Sequence, residues 1–368
     1  MTTITRLDHP TSIHASGMFV LRAEEDIWSG VLLDKVGDLD LAESARFTYM
    51  LGALPQYHRH IRLVASDVDV PSRESDVIGI AVVDLRMGST TPRVADVSVA
   101  VRPERLGQGI GSALHAAALD VAAEHQRTTI QAWTWEPATI PDGARQLPAR
   151  TGSGGVEADS RETRFLLRQG YALGQFARNS RLHLPPSDEL ARRRDELLAD
   201  KPAGYEIITI QGRTPLRFLA DAAKLSAIMA TDSPSGSMDV EDESWDPERV
   251  RLSDDVLEEA QRDQLQTLVR HAPSGELVGF TRLLRDRDRP EVVHQWETLV
   301  VSTHRGHGLG MLMKVVNHAA VAELWPGAQR LVTGNASENG HMLDINIALG
   351  YEPHAANGFW ELRRGADG

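Results

Sequence analysis

The chain contains no cysteine. There is therefore no disulfide framework, no thiolate metal site and no cysteine nucleophile, which excludes acyl transfer through an acyl-cysteine. No apolar run approaches the roughly 20 residues of a membrane-spanning helix, and the first residues lack a signal-peptide pattern. A soluble, cytoplasmic protein without a membrane partner is the expectation. Positive charge is also short: 39 Lys and Arg stand against 52 Asp and Glu, a formal net charge of −13. That balance disfavours nucleic acid as a partner and mildly favours a cationic substrate, although acidity also serves solubility alone.

What the sequence does contain is a glycine-spaced turn that occurs twice. Arg105-Leu106-Gly107-Gln108-Gly109-Ile110-Gly111 and Arg305-Gly306-His307-Gly308-Leu309-Gly310 each follow a β-rich run and open into an apolar helix. Glycines let the backbone turn tightly, and the unpaired N–H groups of the following helix point at a negative charge. A phosphate or pyrophosphate is the natural guest. A P-loop needs Lys-Ser or Lys-Thr after its last glycine, where this chain has Gly111-Ser112 and Gly310-Met311. A dinucleotide fingerprint needs a third glycine, and Met311 stands there instead.

The repeat extends beyond the turns. Val94–Val101 and Val292–Val301 read as the strands that feed them, and Ala113, Leu114, Ala117, Ala118 and Val121 match Leu312, Val315, Val316, Ala319 and Ala320 as the helices that follow. Gly79 and Gly279 are 200 positions apart and Gly109 and Gly308 are 199 apart, whereas Gly170 and Gly350 are 180 apart. The first copy thus carries about twenty extra residues around Ala144–Glu162. Their Thr151-Gly152-Ser153-Gly154-Gly155 centre reads as a flexible surface loop. Two domains follow: residues 1–186, closed by a strand over Asn179–Leu184; a charged linker helix over residues 187–200; and residues 201–368, opened by the strand Tyr205–Ile210. Leu190, Leu197 and Leu198 can pack the linker on either domain.

With Arg305, Gly308 and Gly310 the second turn resembles the pyrophosphate motif of the GNAT superfamily of acyl-CoA-dependent acyltransferases, and the tandem arrangement is similar to mycothiol synthase-like actinobacterial acetyltransferases. The resemblance implies an α/β fold of two tandem GNAT domains. Each would be a central mixed β-sheet with splayed fourth and fifth strands flanked by helices. It implies acetyl-CoA or another acyl-CoA as co-substrate, no metal, and a small-molecule amine as acceptor. Leu299, Val300 and Val301 would pair with the pantetheine arm, Arg305, Gly306, His307, Gly308, Leu309 and Gly310 would hold the pyrophosphate, and Asn339 would cap a helix and bond the arm.

The chemistry asks for a neutral amine, an oxyanion donor and a proton for the leaving thiolate. Glu297, an acid in the strand before the second turn, is the candidate general base. It can equally be an exposed strand residue paired to Arg282 or Arg285. The Tyr that many family members carry as general acid is replaced by Asn346 in the second domain and Leu166 in the first. His294, His304, His307 and His341 lie near in sequence without one standing out.

The first domain departs further from the pattern. Leu106 stands where the second has Arg305, Ser98 where it has Glu297, and Glu136-Pro137 follows the fifth strand in place of an Asn cap. The resemblance implies a degenerate first domain, with Arg105, Gly107, Gly109 and Gly111 as a secondary cofactor site and catalysis in the second. Acids from Asp239 to Glu248, with Trp245 among them, are expected either at the acceptor mouth of the second domain or on a solvated helix pair with Asp246 as N-cap. A non-catalytic acyl-CoA binder is the alternative to an N-acyltransferase.

Overall fold

A computed structural model describes residues 2–89 and 92–364. The first half runs β1 (Thr3–Leu7), α1 (Phe19–Lys35), α2 (Ala45–Leu51), β2 (His58–Ser66), β3 (Val77–Arg86), β4 (Val94–Val101), α3 (Ile110–Glu124), β5 (Thr129–Pro137), the short hairpin β6 (Gln146–Pro148) and β7 (Gly155–Glu157), α4 (Arg161–Arg168) and β8 (Ala172–His183). Helix α5 (Ser187–Ala199) leads to β9 (Tyr205–Gln211), α6 (Leu219–Asp232), α7 (Pro247–Glu259), β10 (Arg262–His271), β11 (Leu277–Asp286), β12 (Val292–Val300), α8 (Leu309–Leu324), β13 (Arg330–Ala336), α9 (Gly340–Leu349) and β14 (Glu352–Arg363).

Alternation places the layers. On β4, Ala95 and Val97 join Leu114 and Ala118 of α3 in one core, while Ala100 turns to the other face and meets Ile27 of α1. Helix α8 is buried nearly all round, as its apolar sequence requires. The linker helix α5 sides with the second half, where Leu197 packs with Val315 and Trp325.

Among the described residues the main strands form one twelve-stranded sheet, ordered β1-β2-β3-β4-β5-β14-β8-β13-β12-β11-β10-β9. The two halves exchange their closing strands. The strand expected over Asn179–Leu184 is longer and lies between β14 and β13, away from its own β5. In its place β14, the end of the second half, pairs with β5 from Ala355 opposite Pro137 to Arg363 opposite Thr129. A boundary drawn at residue 186 therefore cuts a continuous sheet.

Further pieces cross over. Phe47 and Met50 of α2 pack against Val256, Leu257 and Leu284 of the second half. The acidic segment after α6 runs the other way, along the first half, so it does not border the mouth of the second. Asp239 is paired to Arg93 at 2.5 Å, and the buried Glu241 accepts bonds from the backbone N–H groups of Arg93 and Val94, the latter at 2.8 Å. Asp246 does cap α7, with Pro247 as first helical residue. Its neighbour Trp245 is covered by the Arg249 guanidinium at 4.2 Å.

Removing the Glu241 carboxylate leaves two backbone donors at the start of β4 without an acceptor. Glu241→Ala is expected to cost about 3 kcal/mol in chemical denaturation, and a loss under about 0.5 kcal/mol would mean that water replaces the carboxylate.

Asp40 makes the reciprocal contact from the first half, meeting Arg330 of β13 at 2.6 Å and Arg181 of β8 at 3.3 Å. Burial opposes its ionisation, but the two guanidinium groups outweigh burial and hold its pKa below the usual 3.8. A carboxyl depressed on folding contributes stability that is complete above its unfolded pKa and is withdrawn as pH falls through the folded one. Acid unfolding of the wild type should therefore steepen below 3.8, and Asp40→Asn should flatten that limb. An unchanged acid profile would show that the pair adds nothing to the join between halves.

The extra residues of the first half are not a loop alone. They form the β6–β7 hairpin, whose Thr151–Gly155 stretch makes the turn, and Ala149 and Val156 are buried against the core of that half. Composition pointed to a loop because the turn is rich in Gly and Ser; the two apolar residues beside it anchor the hairpin.

Candidate active site

Both glycine turns are built as the sequence implied. Gly107 and Gly109 have φ of 74° and 81°, Gly306 and Gly308 have 79° and 68°, and Gly109 and Gly308 stand as the N-caps of α3 and α8. Only glycine takes this left-handed backbone without strain, and it leaves the first helical N–H groups facing outward. Above each turn the parallel strand pair separates. Pairing of β4 with β5 ends at Asp96 opposite Gln131, and pairing of β12 with β13 ends at Gln295 opposite Thr333. Beyond these points one edge of β4 and of β12 has no strand partner.

The two clefts differ. In the first half a cavity of about 390 Å³ runs from the turn, including Arg105, Gly107, Gly109 and Gly111, along Val97–Val101 and into the gap beside β5. Its walls are largely apolar, with Val31, Ile110 and Phe165. Trp28 of α1 stacks on Trp133 of β5 at 4.8 Å, and Trp135 meets Trp133 edge-on. Lys35, Arg161 and Arg168 stand at its border with Asp34 and Glu162, and Glu162 pairs with both Lys35 at 3.0 Å and Arg161 at 2.6 Å. Arg105 reaches Asp67 at 2.7 Å and donates to Gln108 at 3.1 Å.

In the second half a cavity of about 430 Å³ sits in the gap between β12 and β13, bordered by Gln295, Glu297, Lys314, Asn335 and Asn339, and it does not extend to Gly306, Gly308 or Gly310. Asp232, at the end of α6, borders the cavity on that side. It accepts from Arg305, whose guanidinium also donates to the carbonyl of Val300 at 3.0 Å. The sequence-derived residues of the second half therefore divide. Glu297 and Asn339 meet in the cavity, while the turn and Arg305 lie outside it. Leu299 is buried in the core, and His307 bonds the carbonyl of Arg305 through Nδ1 at 2.9 Å. Asn339 caps α9 by accepting from the N–H of Met342 at 3.3 Å. Glu297 lies 3.8 Å from Arg282, too far for a hydrogen bond, at a bulge where Trp296 and Glu297 together oppose Arg282.

The histidines separate as well. Burial pushes His294 down to about 3, with the charges of Arg262 and Arg289 adding to it. His304 bonds the hydroxyl of Tyr205 at 3.0 Å, and His341 is exposed. Asn346, at the position of the missing Tyr, is buried and bonded to Lys314 and Asn335. Leu166 is buried in the first-half core and borders its cavity. One acid and imidazole group among the described residues has ligand-like spacing, Asp38 with Asp40 and His354, and Arg181 and Arg330 already fill it.

Two further charged residues, Asp96 next to the cavity-lining Val97 and Lys314 in the second cavity, stood in the sequence unremarked. Asp96 is the acid of an otherwise neutral β4, placed where the strands part and on the α1 face. Burial pushes its carboxyl up to about 6 against the pull of Arg86 at 3.3 Å. The 199-residue shift matches it to Gln295, so the two gaps carry an acid and an amide at one position. Lys314 is a lone cation in an apolar helix run, and the same shift matches it to His115.

Residues 39–141 match the acetyltransferase (GNAT) family model. The whole chain superposes on a tandem GNAT protein from the clavulanic acid biosynthesis pathway with TM-score 0.69 and 23% identity, covering 100% of both chains. The chain has the tandem GNAT fold. A GCN5-related N-acetyltransferase from Sphaerobacter thermophilus is similar over 100% of this chain and 97% of its own, at TM-score 0.58 and 13% identity. A GCN5-related glucosamine N-acetyltransferase region of a fungal multi-domain GH3 β-N-acetylglucosaminidase has TM-score 0.58 and 13% identity, over 98% of this chain and 38% of the other. No curated protein sequence matches the chain. The family model falls on the half of the chain whose turn and strand gap share one cavity.

Proposed function

We propose that the protein is an acyl-CoA-dependent N-acyltransferase whose first half holds the acyl-CoA, most simply acetyl-CoA, and passes the acyl group directly to a small-molecule amine. One observation carries this reading: a single cavity joins the glycine turn to the unpaired edge of β4. The N–H groups at Gly107–Gly111 take the pyrophosphate, with Arg168 at the cavity border for further phosphate charge. The pantetheine arm lies along Val97–Val101, pairing its amides with the free strand edge, and the thioester reaches the level where β4 and β5 part. A backbone N–H of β4 there stabilises the oxyanion.

The amine enters from the α1 face, past Trp28 and Trp133. Asp96 on that face takes its proton, the amine attacks the carbonyl carbon, the carbon–sulfur bond breaks, and solvent at the mouth protonates the thiolate. Sequence reading favoured the second half because its turn fits the motif more fully. The cavity supports the first, since there it runs unbroken from the turn to the gap between the strands.

Gly109→Val fills the turn and strains a backbone at φ of 81°. We expect it to weaken acetyl-CoA binding about 100-fold or more in calorimetry, and Gly308→Val to change it less than about threefold. The reverse order would return the cofactor to the second half.

A further inference from the structure

The second-half cavity carries a different set of groups from the first. Gln295 is 4% exposed and borders the cavity; its Nε2 donates to Thr281 and to the carbonyl of Arg282, while its Oε1 has no partner. Glu297 Oε2 is likewise buried without a hydrogen bond, with the Arg282 guanidinium 3.8 Å away as its nearest charge. A buried acceptor left unpaired costs about 1–3 kcal/mol, so two on one strand facing one cavity form a recognition surface for a donor. Opposite them stands Lys314, 1% exposed, whose amine donates to Asn346 Oδ1 at 2.6 Å and has further N–H groups to give. Acceptors on β12 and a cationic donor on α8 thus border one polar cavity of about 430 Å³.

We infer that the second half binds a small zwitterion of the amino-acid class, its ammonium on Glu297 and Gln295 Oε1 and its carboxylate on Lys314. An acyl-CoA does not suit this cavity, because the space stops short of the glycine turn. Burial pulls the Lys314 amine down to about 7, so a carboxylate beside it restores its charge and draws a proton from the buffer. The site is separate from the proposed acyl-transfer cleft: β14 and β8 lie between the two gaps, four strand spacings or about 19 Å from centre to centre. That distance excludes direct transfer between them.

The test is calorimetry on the full chain with the proteinogenic amino acids, each binder then compared with the amine lacking its carboxylate and the acid lacking its amine. At least one amino acid should bind, with both truncated analogues weaker by about tenfold or more. Lys314→Met, which exchanges a buried amine for an apolar side chain of similar length and so keeps the fold, should lower that affinity about tenfold and abolish proton uptake measured across buffers. Glu297→Gln should lower the affinity without abolishing the uptake.

No binding by any amino acid up to about 10 mM, equal binding of an amine analogue, or competition by acetyl-CoA would each overturn the assignment. Failure of the acyl-CoA reading is seen separately, as acetyl-CoA binding that is indifferent to Gly109→Val.

Discussion

Trp360→Ala is expected to destabilise the protein by about 3–5 kcal/mol and to weaken acetyl-CoA binding in the first half, although the residue lies near the end of the second. Its side chain is fully buried, packs in the first-half core with Ile130 and Val156, and donates its indole N–H to Thr134 on β5 at 3.2 Å. Removing it opens a cavity beneath the strand that borders the cleft. Chemical denaturation should show one cooperative transition that moves as a whole, because the exchanged strands make each half part of the other's sheet. For the same reason residues 1–186 and 187–368, expressed apart, should each fail to fold, and co-expression should restore a soluble pair. Two independent transitions, or a folded first half on its own, would show that the exchange is a packing detail and not a condition of folding.

Asp96→Asn is expected to lower kcat by about 10²–10⁴-fold, the range for loss of a general base, with acetyl-CoA affinity nearly unchanged. The sign with pH follows from the raised pKa. A base must be ionised to act, so the wild-type rate should fall as pH drops through about 6, and the Asn variant should lack that limb. Thiol release from acetyl-CoA with an amine panel is the measurement. Full activity in the Asn variant near neutral pH would assign Asp96 to its pair with Arg86 alone. Loss of activity in Glu297→Gln, with Asp96→Asn unaffected, would move the chemistry back to the second half.

Local signals were legible in the sequence because they depend on neighbours in the chain. The two glycine turns, the strands over Val94–Val101 and Val292–Val300, the linker helix at residues 187–199 and the caps at Asp246 and Asn339 are each fixed by spacing, β-branched content or a short polar side chain beside a helix start. The internal repeat likewise told of two similar units, since matched glycines mark matched turns. Asp96 and Lys314 were readable as isolated charges in apolar elements, and the burial of Lys314 could have been suspected from that contrast.

What the tertiary structure alone decided is which strands meet and which turn borders a cavity shared with its strand gap. The closing strands read the same whether they return to their own half or to the other, because pairing depends on register and packing at long range, and nothing adjacent to Ala172–His183 encodes its neighbour. Asp239 and Glu241 looked like free acids until Arg93 and the start of β4 came to meet them from about 150 positions away. Arg305 of the fuller motif is paired to Asp232 and Arg105 of the poorer one to Asp67, but the poorer turn is the one that borders the cavity beside its strand gap; a motif records donors, whereas the shape of the space for a ligand is set by side chains that arrive from elsewhere in the fold.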